Sequence, residues 1–200
     1  ANGLQVYVQG QGGGDYEDKA GSNCPDGVLP PACPYSDVDN RAWAAVELYR
    51  ATKTPAYHTA FLNYLGQVGP ISETGNGFVY HNYKASISYL LADPSQLPIN
   101  SGMVNTIKNA LRTLADGYYS RTYSNIYRNA YYSHVPNWIG WGQFAQSPKY
   151  SYWLLRAAHF LVGYKDAQGN DIDVAKYIAA AKINLDTELG NNPQNKTYIT

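Results

Sequence analysis

The sequence predicts an all-α fold, and three observations carry that prediction. Apolar residues recur at three- and four-residue spacings in about six stretches, the period of a helix with one buried face. Pro, Gly and small polar residues stand between those stretches, where helices start and stop. Alternation of the kind a half-buried strand needs is confined to one short run, Leu4-Gln5-Val6-Tyr7-Val8.

Residues 1–34 are rich in Gly and Pro and read as irregular. Gly12-Gly13-Gly14 is no phosphate loop, because neither Lys-Ser/Thr nor a helix follows it. Asp15, Glu17 and Asp18 form a small acidic loop whose simplest reading is a solvated one. The first helix opens at Ser36 or Asp37, either of which can cap free backbone N–H groups. Trp43, Ala45, Val46 and Tyr49 then share one broad face. After a break at Lys53, Thr54 as cap and Pro55 at the first position start a second helix, making a hairpin over roughly 37–66. Gly69-Pro70 and Gly75-Asn76-Gly77 punctuate a loop. A third helix is expected over 80–92, with Tyr83, Ile87, Leu90 and Leu91 inward and Asp93-Pro94 as its stop. The fourth runs from Asn100 or Ser101 to Asp116 on the stripe Val104, Ile107, Leu111 and Leu114. Residues 117–147 lack a long period but are crowded with aromatics, a pattern common in functional segments. Pro148, capped by Ser147, opens the fifth helix, with Trp153, Leu154, Ala157, Phe160 and Leu161 inward. The sixth spans about Asp171 to Leu189, stopped by Gly190 and Pro193.

Composition narrows the function. Lys plus Arg and Asp plus Glu are both 15, so the surface carries no net positive charge of the kind that neutralises phosphates, which argues against nucleic acid. No run of about 18 apolar residues is present to suggest a membrane span. Ala1-Asn2-Gly3 reads as a processed or cut end. Tyr is unusually frequent, 20 residues against 4 Trp, 4 Phe and 1 Met. Tyrosine has an apolar face and a polar tip, which suits a half-wet groove; a general preference of extracellular helical proteins for Tyr is the blander account. Cys24 and Cys33 flank a Pro/Gly-rich loop that packs little by itself, so a disulfide is favoured over a metal pair, and with it an oxidising, extracellular compartment.

Three stretches, in order, carry a resemblance. They are Asp39-x-x-x-Trp43-Ala44-Ala45-x-Glu47-Leu48-Tyr49-Arg50-Ala51-Thr52, then Trp141-Gly142-x-x-x-x-Ser147, then Leu189-Gly190-x-Asn192-Pro193-Gln194-Asn195-x-Thr197-Tyr198-Ile199-Thr200. Together they resemble the catalytic domain of glycoside hydrolase family 9, inverting cellulases and related β-glucanases built as a barrel of six helical hairpins. The resemblance implies a partial domain: residues 1–200 would form about half of an (α/α)6 barrel, 35–200 supplying roughly three hairpins. It implies a β-1,4-glucan or related polysaccharide as ligand, and the remainder of the same catalytic domain as a partner. The family's base sits in an Asp-Ala-Gly-Asp motif and its acid in an Asn-Glu segment that follows a His-x-Arg element. This chain has no Asp-Ala-Gly-Asp, and it stops at Thr200, before the place of the acid, so no catalytic residue is carried over.

What carries over is a cleft wall. Sugar rings present apolar faces that stack on aromatic side chains. Trp141 stands where the family places a stacking Trp, and Tyr80 or His81 stands where it has a Phe-x-Trp element. Trp138 joins them on its loop position alone, whereas Trp43 and Trp153, on apolar helix faces, read as core. His58 and His159 read as structural. No cofactor is required; Asp37 and Asp39 offer hard oxygens that calcium uses in some family members, although simple helix capping is the stronger reading because Asn40 replaces an acidic residue there. Two readings from other classes stay open: a non-catalytic helical polysaccharide-binding module and an interaction scaffold.

Overall fold

The computed structural model describes residues 38–71, 82–125, 128–130, 143–186 and 189, with the side chains of 143–147 excepted. Among them are six helices and no strand: α1 (Val38–Thr52), α2 (Pro55–Val68), α3 (Asn82–Leu90), α4 (Ser101–Tyr123), α5 (Gln143–Phe160) and α6 (Ala175–Asp186). They fall into two compact units, α1–α3 with the segment through Asn100, and α4–α6.

In the first unit α1 packs against α2 and α3. Ala42, Ala45, Val46 and Tyr49 fill the buried face of α1, and Phe61 and Leu65 that of α2. The link between the two helices is short because Lys53 turns the chain at φ 59 while its N–H bonds the Tyr49 carbonyl at 2.8 Å. Thr54 occupies the cap position of α2 with Pro55 behind it, as the sequence suggests, but its side chain makes no capping bond. Gly69, at φ 76, closes α2 by bonding the Leu65 carbonyl. α3 is buried on nearly every side from Ala85 to Tyr89, so it has no clean stripe. The 91–100 segment returns over Tyr49, with Ala92 and Leu97 buried on that ring and Tyr57 and Ile99 beside them.

In the second unit α5 and α6 pack together and α4 packs against both. Ile107, Leu111, Leu114 and Tyr118 are buried on α4, Tyr150, Trp153 and Leu154 on α5 and Leu161 just past its end, and Tyr118 and Tyr150 touch edge to face at 4.8 Å. Ala180 and Ala181 bring α6 close enough for Ser151 to donate to the Ala181 carbonyl at 2.7 Å. The α5–α6 connection is a tight hairpin with one antiparallel bridge, Lys165 to Asp171, turned by Gly169 at φ 84.

Several expectations need correction. α4 continues to Tyr123 because Tyr118 and Thr122, a heptad beyond Leu111 and Ala115, keep its buried stripe going. α5 starts at Gln143 and carries Pro148 within it, where the ring removes one i→i−4 bond. α6 begins at Ala175, after Asp173 has capped the Ala175 N–H, not at Asp171, which is held in the bridge. Leu91 is 53% exposed, lying past the end of α3, and Val104 and Phe160 are only half-buried. Trp43 is half-buried and Trp153 alone of the two is core. Trp43 donates its indole N–H to Glu47 at 3.2 Å and carries Lys84 Nζ over its ring at 4.6 Å, so it faces polar partners.

Candidate functional site

Trp138, Trp141, Tyr80, His81, Asp37, Cys24 and Cys33 lie outside the described residues. What the structure describes is the framework from which the two aromatic stretches depart and to which they return. A buried asparagine stands at one edge of each.

At the first stretch the frame is Asn82. It opens α3 immediately after Tyr80 and His81, is 2% exposed, and donates its side-chain amide to the carbonyls of Gly69 at 3.2 Å and Pro70 at 2.6 Å. The end of α2 and the start of α3 are thereby held together. An asparagine suits the position because its amide has two hydrogens for two backbone acceptors.

At the second stretch the frame is Asn184, with Asn125 and Asn129. Asn125 donates to the carbonyls of Arg121 and Asn129, each at 2.9 Å, and so folds the chain back as α4 ends. Asn184, fully buried on α6, accepts the Ala130 N–H at 3.0 Å and donates to Thr122 Oγ1 and the Ala180 carbonyl, each at 2.8 Å. The residue preceding the 131–142 stretch is therefore fixed to two helices. Around this corner Tyr119 and Tyr123 stack tilted at 4.9 Å, with the Arg128 guanidinium 5.9 Å over Tyr123.

Two described carboxylates sit among polar partners. Glu47 accepts from Trp43, from Arg50 at 3.1 Å and from Ser88 of α3 at 2.5 Å. Asp116 accepts from Lys176 Nζ at 2.6 Å and the Tyr177 phenol at 2.8 Å, with Arg112 at 3.5 Å. Both are struts between helices, with their oxygens engaged by neighbours. Burial, and then the bond to Asp116, pushes the Tyr177 phenol far above its usual range. Asp39 is buried in the first turn of α1, where its Oδ1 accepts the Asn40 N–H at 2.8 Å. Among the described residues no group of three or more His, Cys, Asp or Glu could hold a metal ion. None of the described helices is long and apolar enough to cross a membrane.

The buried asparagines are what sequence reading missed. Asn184 follows Tyr177 and Ala180 at helical spacing, on the apolar side of α6, and a polar residue in that register was the available signal.

The model of glycosyl hydrolase family 9 matches residues 9–200. The chain belongs to glycosyl hydrolase family 9. The all-α architecture fits part of that family's (α/α)6 barrel, and membership implies a polysaccharide substrate in general terms. Comparison with curated proteins gave no match, and neither did comparison with solved structures.

Proposed function

We propose that residues 1–200 are part of one secreted, inverting β-1,4-glucanase domain and supply cleft-wall aromatics, with the catalytic carboxylates contributed from elsewhere in that domain. The observation that carries this reading is the family match over residues 9–200, joined to a sequence with neither Asp-Ala-Gly-Asp nor Asn-Glu. An inverting glycosidase needs a general base and a general acid roughly 6.5–9.5 Å apart, and the described Glu47 and Asp116 are bound up as helix struts.

Trp141 and Trp138, with Tyr80 or His81, are the stacking candidates. The support for that assignment is the family resemblance; Asn82 and Asn184 anchor the described residues next to these stretches. Secretion rests on Cys24 and Cys33 as a disulfide pair. Calcium at Asp37 and Asp39 is not needed for any of this.

The test is hydrolysis of soluble β-1,4-glucan by residues 1–200 alone. The expected rate is background. Turnover in the ordinary enzyme range, about 1–10³ s⁻¹, overturns the division of labour. Intact mass and terminal sequencing of the native protein then show what accompanies this span.

A further inference from the structure

The Asn100 backbone N–H donates to the phenolic oxygen of Tyr89 at 2.6 Å, and the same oxygen lies 2.8 Å from His58 Nε2. The direction of that second bond follows the tautomer of His58. The Tyr89 oxygen accepts Asn100 and its one hydrogen is given no other acceptor among the described residues, so the arrangement that uses every group has Tyr89 donating to Nε2, the bare nitrogen of a neutral ring. An imidazolium has no bare nitrogen to receive that hydrogen, so protonation removes the Tyr89-to-Nε2 bond and makes two N–H donors compete for the one phenolic oxygen.

Two phenols flank the half-buried ring. Tyr49 of α1 stacks on it at 4.6 Å and 11°, and Tyr89 of α3 at 5.7 Å and 20°. The Tyr49 phenol donates to the Pro98 carbonyl at 2.6 Å, so both phenols that flank His58 also grip the 91–100 segment. Charged groups on the neighbouring elements are engaged elsewhere. Glu47 pairs with Arg50, Lys84 lies over Trp43, and Lys53 donates to Gln96, while α2 itself carries no acidic or basic residue except His58. In the segment, the Asp93 carboxylate accepts the Ser95 N–H.

We propose that His58 is a pH-sensitive latch: its neutral ring, through Tyr89, holds the 91–100 segment to α2 and α3, and protonation releases it. Burial lowers the His58 pKa, in keeping with this geometry. The folded form therefore binds the proton less readily than the unfolded chain. Its stabilisation is complete above the ordinary histidine value of about 6.5 and is lost as pH falls through the depressed folded value.

The experiment is NMR of the 200-residue chain between pH 7.5 and 4.5, following the His58 ring and the exchange protection of the Asn100 amide. His58 should titrate below about pH 6.5, and Asn100 protection should fall by at least about tenfold with the same midpoint. His58→Gln, whose carbonyl accepts from Tyr89 at every pH, should keep the protection and remove its pH dependence. Tyr89→Phe should leave Asn100 weakly protected throughout. Protection that stays flat, a midpoint unrelated to His58, or pH dependence surviving in Tyr89→Phe overturns the latch. Should His58→Gln not fold, the coincidence of midpoints in the unsubstituted chain decides.

Discussion

Asn184 of α6 donates its side-chain amide to the hydroxyl of Thr122 on α4 at 2.8 Å, and both residues are completely buried. Thr122 passes its own hydrogen to the Tyr118 carbonyl at 2.8 Å, so the pair has donors and acceptors matched without solvent. The other end of Asn184 receives the Ala130 N–H at 3.0 Å. One side chain thus closes α6 onto α4 and holds the first residue of the turn that leads to Trp138 and Trp141.

Asn184→Ala should therefore destabilise by about 2–4 kcal/mol, because it leaves the buried Ala130 N–H without an acceptor and opens a small void. Asn184→Leu should not recover the loss, since volume is not what the position supplies. Thermal unfolding tests this, with a fall of about 2–4 °C per kcal/mol for a chain of this size. A change within experimental error would show that the Thr122–Ala130 link is redundant.

Lys53 offers the opposite outcome. It holds φ 59, a region that costs a non-glycine residue about 1 kcal/mol, and its Nζ bond to Gln96 is exposed. Lys53→Gly should leave the fold intact and be neutral or stabilising by up to about 1 kcal/mol, the strain relief being partly offset by greater freedom of the unfolded chain. Denaturant unfolding measures it, and a loss above about 1 kcal/mol would mean that the exposed ammonium matters more than the backbone.

The alkaline limb of stability should report Tyr177. Its phenol is raised by burial and by Asp116, so the folded state keeps a proton that the unfolded chain releases near pH 10. That contribution is fully present below the unfolded value and is lost as pH rises toward the folded one. Tyr177→Phe should cost about 1–2 kcal/mol at neutral pH, from the lost bond to a carboxylate. The difference between variant and parent should then shrink above about pH 10. Tyr49 and Tyr89 are also raised by burial, but both are common to parent and variant. A difference that stays constant with pH rules out Tyr177 as the titrating group.

The helix periods were legible because burial on one face leaves a record in the spacing. Ile107, Leu111 and Leu114 fall where the stripe puts them, as do Ala45, Val46 and Tyr49. Boundaries were less so, because Pro148 looks like a start and is tolerated inside α5, and because Tyr118 and Thr122 are amphipathic residues buried by partners far along the chain. Trp43 misled for a related reason: its ring was counted as apolar, while its N–H and its quadrupole drew Glu47 and Lys84. The aromatic platform was readable only as a resemblance. Of the asparagines beside it, Asn184 stood out only as a polar residue in an apolar register, and that register does not tell whether its partner is water or backbone 54 residues away.

Trp141 and Trp153 make the last prediction, and they should separate binding from stability. Trp153 is 2% exposed within α5, beside Tyr152 at 5.5 Å, so Trp153→Ala should cost about 3–5 kcal/mol of folding stability. Trp141 stands between Gly140 and Gly142 outside any apolar period, and the family resemblance gives it a sugar face. Cello-oligosaccharides should perturb the tryptophan fluorescence of the parent chain, and Trp141→Ala should abolish most of that change. Its binding should weaken by about 1–3 kcal/mol, the scale of burying one aromatic ring. Its melting temperature should move little. Sugar titration and thermal melts on both variants decide the assignment together. A Trp141→Ala chain that melts far lower yet keeps the sugar response makes Trp141 a core residue and removes the platform; a Trp153→Ala chain that loses sugar response without losing stability would move the platform to α5.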